Sequence, residues 1–157
     1  MKNRLVMNVH SSLRPILLVE DNDMDLDFCL QAFEEHGIAH PVAACRDGEE
    51  AIALIDAHLD PADPQLPLLV LLDLRLPKVD GIDVLRHARQ KEAWLQVPIV
   101  ILTTSGENSD IKRAYQYGVN SYIVKPVNFD AFVEVVKKIK MDWLLTHASP
   151  LANPGKH

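Results

Sequence analysis

Short, mostly apolar runs alternate with amphipathic stretches along most of the chain. The apolar runs are typical of strands buried in a sheet, and they lie at 16–19, 42–45, 68–72, 98–102 and 121–124. After each run, apolar residues recur at spacings of three and four, which indicates a helix. The predicted helices cover about 23–35, 48–58, 82–91, 109–118 and 129–143.

Five strands that alternate with five helices predict an α/β protein with a (βα)5 parallel sheet. Right-handed crossovers leave few arrangements, and the doubly wound strand order 2-1-3-4-5 is a common one. Residues 60–67 include three prolines and are predicted to form an exposed loop within the same domain. We expect an N-terminal arm over 1–14, one domain over 15–145 and a disordered tail over 146–157.

Composition narrows the class of protein. The 157 residues suit one domain, and 48% apolar and 24% charged residues are ordinary for a soluble globular protein. The net charge of −6 argues against a general nucleic-acid binder. We predict neither a signal peptide nor a membrane span, because no apolar run is long enough. Cys29 and Cys45 form no CxxC motif, which favours reduced core residues of a cytosolic protein.

Acidic residues, a threonine and a lysine stand at the ends of four of the predicted strands. Glu20 and Asp21 follow the first strand, Asp73 the third, Thr103 the fourth and Lys125 the fifth. Parallel strands bring their carboxyl ends to one edge of the sheet, where open α/β sheets bind ligands, so these side chains should meet. The alternative for Asp73 is a residue that only caps the following loop, since aspartate is common in turns.

The predicted cluster suits a metal ion and a phosphoryl group. Carboxylates held close together repel one another, and a divalent cation relieves that repulsion. Mg2+ prefers oxygen ligands, including carboxylates, water and phosphate oxygens. The ammonium of Lys125 and the hydroxyl of Thr103 would stabilise phosphoryl oxygens. Since aspartate is a known nucleophile in phosphoryl transfer, we expect Asp73 to carry a phosphoryl group beside Mg2+.

Four motifs give the chain its resemblance to the receiver domains of two-component response regulators. They are VEDN at 19–22, LLDLRLPKVDG at 71–81, ILTTS at 101–105 and YIVKPVN at 122–128. They occur in the family's order and at its spacing, over residues 15 to about 142. The resemblance implies a flavodoxin-like fold and a cytoplasmic, stand-alone switch that takes its phosphoryl group from a sensor histidine kinase.

A second set of motifs resembles a narrower group, the single-domain regulators of bacterial and cyanobacterial phytochrome kinases. The matching pieces are TTS at 103–105, DI at 110–111, YQYGVNSYIVKPVNFDAF at 115–132 and the proline-rich loop. This resemblance implies that the signal received by the kinase is red light.

The family resemblance implies a metal site around the phosphoacceptor. Asp73 would accept the phosphoryl group, and Asp21 would bind Mg2+ directly. Glu20 would bind the cation directly or through water, and the backbone carbonyl of Arg75 would complete the site. Many family members have aspartate where this chain has Glu20, so the exact ligation stays open.

The resemblance also implies roles for residues on the last two strands. Lys125 would pair with the phosphoryl group, and Thr103 would shift toward it. Tyr122 would change rotamer behind Thr103, although a strand tyrosine can also be a simple core residue. Pro126 would follow a cis peptide bond that orients Lys125. Thr104 stands where a smaller residue is frequent, and it is predicted to slow access of water to Asp73.

Two alternative functions use parts of the same pattern. A phosphatase or phosphotransferase of the haloacid-dehalogenase type would have a second aspartate two residues after the nucleophile, where this chain has Arg75. A pseudo-receiver that binds a partner without phosphorylation would lack an acidic, threonine or lysine member of the set, and here the set is complete.

The apolar stripe of the last helix continues through Trp143, Leu144 and Leu145. It predicts either packing on the domain's own core or a homodimer contact. A homodimer would form through this C-terminal helix or through the face of the fourth helix, fifth strand and fifth helix. We expect no output domain after 145, because the remaining tail is too short to fold alone, so the output should pass through protein contacts.

Overall fold

The computed structural model describes the backbone of residues 4–6 and the whole of residues 13–145. Most of the predicted arm and all of the predicted disordered tail lie outside the described residues. Within these residues, no helix combines the length and the apolar character needed to cross a membrane.

The strands and helices alternate as the sequence predicts. The strands are β1 (Arg4–Val6), β2 (Ile16–Val19), β3 (Val42–Cys45), β4 (Leu69–Leu72), β5 (Ile99–Thr103) and β6 (Ser121–Val124). The helices are α1 (Asp23–Glu35), α2 (Gly48–Asp56), α3 (Gly81–Ala88), α4 (Asn108–Gln116) and α5 (Phe129–Ile139). A π-helical turn over Lys140–Leu144 continues α5.

The sheet has the order β1-β3-β2-β4-β5-β6. Strands β2 to β6 are parallel, so the five predicted strands have the order 2-1-3-4-5 and the predicted fold class is confirmed. The short strand β1 is an addition, because it pairs antiparallel with the edge strand β3. Three residues carry too little periodicity to be recognised as a strand without their pairing partner.

Helices cover both faces of the sheet, and each strand contributes alternate side chains to two apolar layers. Leu17 and Leu72 belong to the layer that also contains Ile55 of α2 and Leu85 of α3. The opposite layer is formed with α1 and α5 and includes Ile16, Leu18, Leu71, Phe33, Phe132 and Val136. This two-sided burial explains the continuous apolar character of the strands.

The C-terminal stripe packs at least partly on the domain's own core. Leu144 is buried in the layer formed with α1 and α5, and Trp143 packs against that layer. Lys140 also ties this segment to α1, because its ammonium donates a hydrogen bond to the carbonyl of His36 at 2.5 Å. Leu145 is exposed, and the predicted homodimer stays a prediction.

Candidate functional site

Three acidic side chains meet at the carboxyl edge of the sheet. Glu20 and Asp73 follow neighbouring strands and are each only 6% exposed, while Asp21 is half-buried. One carboxylate oxygen from each lies within 4.8 Å of the others. The amide of Asp73 donates to the carbonyl of Val19 at 3.0 Å, which continues the pairing with β2 one residue beyond the end of β4. The sheet therefore holds the acidic residues together, at the edge where the sequence predicts them.

Lys125 reaches this cluster from the end of β6. Its ammonium donates hydrogen bonds to Glu20 Oε1 at 2.7 Å and to Asp73 Oδ2 at 3.0 Å. The amide of Lys125 donates to the carbonyl of Thr103 at 2.7 Å, so the backbone stays in register with β5 beyond the last strand residue. The structure thus brings the predicted lysine and the predicted nucleophile into direct contact.

A fourth carboxylate, which sequence reasoning missed, also contacts the lysine. Asp25 Oδ2 accepts a hydrogen bond from the Lys125 ammonium at 2.7 Å. Asp25 lies in the first turn of α1, where its amide donates to the capping side chain of Asn22 at 2.9 Å. The position of Asp25 could have been predicted from the sequence. Side chains of a helix lean toward its N-terminus, and α1 begins shortly after Asp21 at the edge of the sheet.

Burial and Lys125 shift the pKa of Glu20 in opposite directions. Burial raises the pKa of Glu20 to about 7, since the charged form loses water, and the hydrogen bond from Lys125 opposes this only in part. The Asp73 carboxylate adds to the rise by repulsion. For Lys125, burial lowers the pKa, but hydrogen bonds to Asp25 and Glu20 outweigh it and raise the pKa above its ordinary value.

Because of Glu20, the stability of the metal-free protein should depend on pH. An acid whose pKa is raised by folding stabilises the fold fully below its unfolded pKa, and this contribution is lost as the pH rises through the folded value. Between its ordinary pKa of 4.5 and about 7, we expect the free energy of unfolding to fall. The fall should be up to about 3 kcal/mol.

Urea unfolding in EDTA across this pH range measures the effect. In Glu20→Gln, the free energy of unfolding should change less with pH between 4.5 and about 7 than it does in the wild type. Equal slopes for the two proteins would show that another group titrates.

The side chain of Thr103 is a buried polar group that the protein leaves unpaired. Thr103 ends β5 and is fully buried, and its hydroxyl has no hydrogen-bond partner among the residues that the structure describes. A buried hydroxyl without a partner costs about 1–3 kcal/mol, so a polar ligand at this position would be stabilising. The strand register sets Val124 beside Thr103, one residue before Lys125.

A polar network connects the loop after Asp73 with the start of α4. The guanidinium of Arg75 donates to Asp110 Oδ2 at 2.9 Å, and the hydroxyl of Ser105 donates to the same oxygen at 2.5 Å. The hydroxyl of Tyr122 donates to the carbonyl of Ser105 at 2.7 Å. Asp110 is buried, and these two donors provide hydrogen bonds to its carboxylate in place of water. Sequence reasoning missed Asp110 and Ser105 as members of a network with Arg75.

Gly81, at the start of α3, lets the chain pass close to the backbone of Asp73 and Leu74. The amide of Gly81 donates to the carbonyl of Leu74 at 2.9 Å. A Cβ atom at Gly81 would lie 2.2 Å from the carbonyl oxygen of Asp73, which is too close for any side chain. The amide of Arg75 points to Asp73 Oδ1 at 3.4 Å. The carbonyl of Arg75 as a metal ligand stays a prediction.

The predicted cis peptide bond before Pro126 is wrong. The described residues contain no cis peptide bond, so Lys125 and Pro126 are joined in trans. The trans form of such a bond is favoured by about 0.5–1 kcal/mol unless the surroundings select the other. Here the hydrogen bond from the Lys125 amide to Thr103 and the carboxylates around its ammonium already orient the lysine.

The chain is a doubly wound α/β protein with a cluster of acidic residues and a lysine at the carboxyl edge of its sheet, and comparison with known proteins identifies its family. The family model of the response regulator receiver domain matches residues 16–137. The chain therefore belongs to the response regulator receiver family of two-component signalling.

Individual relatives share most of their length with this chain. FilR2 of Methanothrix harundinacea (strain 6Ac), a probable methanogenesis regulatory protein, is 42% identical over 135 residues, 86% of each chain. The response regulator Rcp1 of Synechocystis sp. PCC 6803 is 35% identical over 137 residues, which cover 87% of this chain and 93% of Rcp1.

Solved structures of such regulators superpose closely on this chain. The phosphorylated cyanobacterial phytochrome response regulator RcpA is 37% identical, with a TM-score of 0.79 over 88% of this chain and 99% of RcpA. The Mn2+-bound form of Rcp1 has a TM-score of 0.77 over 87% of this chain and 99% of that structure, at 34% identity. The similarity to phytochrome-associated regulators was expected from the motifs around 103–105 and 115–132.

Proposed function

We propose that this protein is a phosphorylation-dependent switch in which Asp73 accepts a phosphoryl group from a histidine kinase. The observation that carries the proposal is the contact of Asp73 with the Lys125 ammonium, inside a cluster that also contains Glu20 and Asp21. The buried hydroxyl of Thr103, which has no partner within the described part of the chain, supports it, because a phosphoryl oxygen would give that hydroxyl an acceptor.

The acidic cluster suits a divalent cation, and we propose Mg2+. Carboxylate oxygens from Glu20, Asp21 and Asp73 come within 4.8 Å of one another, and all are hard ligands of the kind that Mg2+ prefers. The relative Rcp1 has been solved in a Mn2+-bound form. A bound cation would supply positive charge for the phosphoryl oxygens. The carbonyl of Arg75 is the proposed additional ligand from the backbone.

The chain's own residues would position and neutralise the reacting groups. An oxygen of Asp73 attacks the phosphorus of the donor, a new O–P bond forms, and the N–P bond of the donor's phosphohistidine breaks as the imidazole leaves. The Lys125 ammonium balances charge on the transferred phosphoryl oxygens. The Asp73 carboxylate is already in contact with that ammonium, so little rearrangement is needed before attack.

We propose that phosphorylation changes the conformation at the start of α4. Thr103 would move toward the phosphoryl group, and Tyr122 follows because it is hydrogen-bonded to Ser105, two residues after Thr103. The Arg75–Asp110–Ser105 network connects the same loop to α4. We propose that the two states differ on the face of α4, β6 and α5, where Tyr115, Val124 and Val127 are exposed, and that a protein partner or a homodimer reads this face.

This role is that of a switch, and we do not propose turnover of external substrates. A phosphatase of the aspartate type needs a general acid two residues after the nucleophile, and Arg75 at that position is paired with Asp110. A phytochrome is the proposed kinase, because RcpA is a phytochrome response regulator. The similarity to FilR2 favours a different input, so phosphotransfer from a phytochrome kinase in red and in far-red light would decide between the two.

The proposed function is tested by the mass of the intact protein after incubation with acetyl phosphate. We expect the mass of one phosphoryl group to be added in Mg2+ and not in EDTA. Beryllofluoride, which mimics a phosphoryl group on a carboxylate, should bind only when Mg2+ is present. Absence of both the adduct and beryllofluoride binding would refute the proposal, while an adduct that forms equally in EDTA would refute the metal.

Thr104 should influence the lifetime of the phosphorylated form. Its side chain is exposed next to the buried Thr103, which ends β5, the strand beside the one that Asp73 follows. We expect Thr104→Ala to speed dephosphorylation about threefold, because a smaller side chain obstructs water less; a threefold change corresponds to only about 0.65 kcal/mol. Decay of the phosphorylated mass with time measures the rate, and an unchanged rate would exclude this role.

A further inference from the structure

Asp25 accepts a hydrogen bond from Lys125, but it is not one of the three grouped carboxylates Glu20, Asp21 and Asp73. Its Oδ2 lies 2.7 Å from the Lys125 ammonium, as close as Glu20 and closer than Asp73 at 3.0 Å. It stands on α1, whereas Glu20 and Asp73 follow strands. The side chain of Asn22 caps α1 by accepting a hydrogen bond from the Asp25 amide, and this cap fixes the position of Asp25.

The hydrogen bonds of Lys125 are fully used in this arrangement. An ammonium has three N–H donors, and three carboxylates accept from it here. A phosphoryl group on Asp73 adds oxygens that need donors from the same ammonium. The contact with Asp73 can pass to the phosphoryl group itself, and any second hydrogen bond from the ammonium to a phosphoryl oxygen requires that Glu20 or Asp25 release a donor.

Asp25 is the acceptor that can release the lysine at lower cost. The Glu20 side chain is 7% exposed, so an unpaired Glu20 carboxylate would be left without water. The Asp25 side chain is 25% exposed and can be hydrated when the lysine turns away. The negative charge of Asp25 also opposes the arrival of further negative charge on Asp73.

We propose that Asp25 is a positioning residue that holds Lys125 in the unphosphorylated protein and thereby opposes phosphorylation. This inference rests on the proposed function, because it concerns the same phosphoryl group. Asp25 competes with the phosphoryl oxygens for the ammonium. Its removal therefore favours the phosphorylated form. The same removal does nothing to help a cation bind, since it takes away a negative charge near the acidic cluster.

Asp25→Asn separates these effects, because it keeps the shape of the side chain and removes its charge. Calorimetric titration with beryllofluoride in excess Mg2+ should show about tenfold tighter binding than in the wild type, which corresponds to about 1.4 kcal/mol. Titration with Mg2+ alone should show equal or weaker binding. A loss of helix stability would not strengthen the binding of beryllofluoride while leaving the binding of Mg2+ equal or weaker. Asp25→Glu restores the charge and should return both affinities toward those of the wild type.

Asp23→Asn is the matched control. Asp23 lies in the same first turn of α1 and carries the same charge, but its side chain is 83% exposed and pairs with Arg46. It should leave the affinity for beryllofluoride unchanged. The proposal is overturned if Asp25→Asn binds beryllofluoride no more tightly than the wild type, or if Asp23→Asn strengthens binding to the same extent. If the wild type itself binds no beryllofluoride, the proposed function fails, and this inference fails with it.

Discussion

Replacement of Asp73 by asparagine is expected to abolish phosphoryl uptake from acetyl phosphate completely. A carboxamide cannot form the acyl phosphate, although it has nearly the shape of the carboxylate. The other groups around the ammonium, Glu20 and Asp25, remain in place. Intact mass with Mg2+ measures the loss. A phosphoryl adduct that persists in Asp73→Asn would mean that another residue accepts the group, and peptide mapping would locate it.

A matched aspartate is available as the control for this substitution. Asp83 lies in the first turn of α3, is half-exposed and pairs with Arg86 at 3.5 Å, and it is not one of the carboxylates grouped with Asp73. Asp83→Asn should take up one phosphoryl group as the wild type does. Asp73→Asn should also lower the pKa of Glu20, because the Asp73 carboxylate raises it by repulsion. Its free energy of unfolding in EDTA should therefore fall less between pH 4.5 and about 7 than that of the wild type.

Lys125→Met should destabilise the metal-free protein at neutral pH by about 3–5 kcal/mol. The lysine side chain is 5% exposed and is the cation that contacts Glu20, Asp25 and Asp73. Methionine replaces much of the apolar stem but leaves the buried carboxylates without their counter-charge. Urea unfolding in EDTA measures the loss. Addition of Mg2+ should recover part of it, because the cation supplies positive charge at the same carboxylates.

The part of the destabilisation that comes from Glu20 should be small below about pH 7, where Glu20 is mostly protonated, and should grow above it. Lys138→Met is the control, since Lys138 is exposed and pairs with Asp142 within one helical segment. Its loss should stay within about 0.5 kcal/mol. If Lys125→Met were as stable as the wild type in EDTA at neutral pH, Lys125 would not be stabilising the buried carboxylates, and the account of the site would be wrong.

The sequence by itself determined the architecture and the main members of the site. The apolar runs of β2, β4 and β5 are uninterrupted because helices cover both faces of the sheet. Such a pattern can be recognised in the sequence alone. The capping residues Asn22 and Asn128 act on amides three positions away, so the starts of α1 and α5 were predictable as well. Parallel strands then place Glu20, Asp73 and Lys125 at one edge by geometry alone.

Only the tertiary structure decided which polar groups touch. Asp25 and Lys125 are 100 positions apart, and Arg75 and Asp110 are 35 positions apart, so no local pattern connects them. The trans bond before Pro126 and the pairing of β1 with β3 likewise depend on their surroundings. Periodicity and caps are properties of neighbouring residues. The choice of a hydrogen-bond partner depends on distances of a few ångströms between distant segments, and these distances exist only after folding.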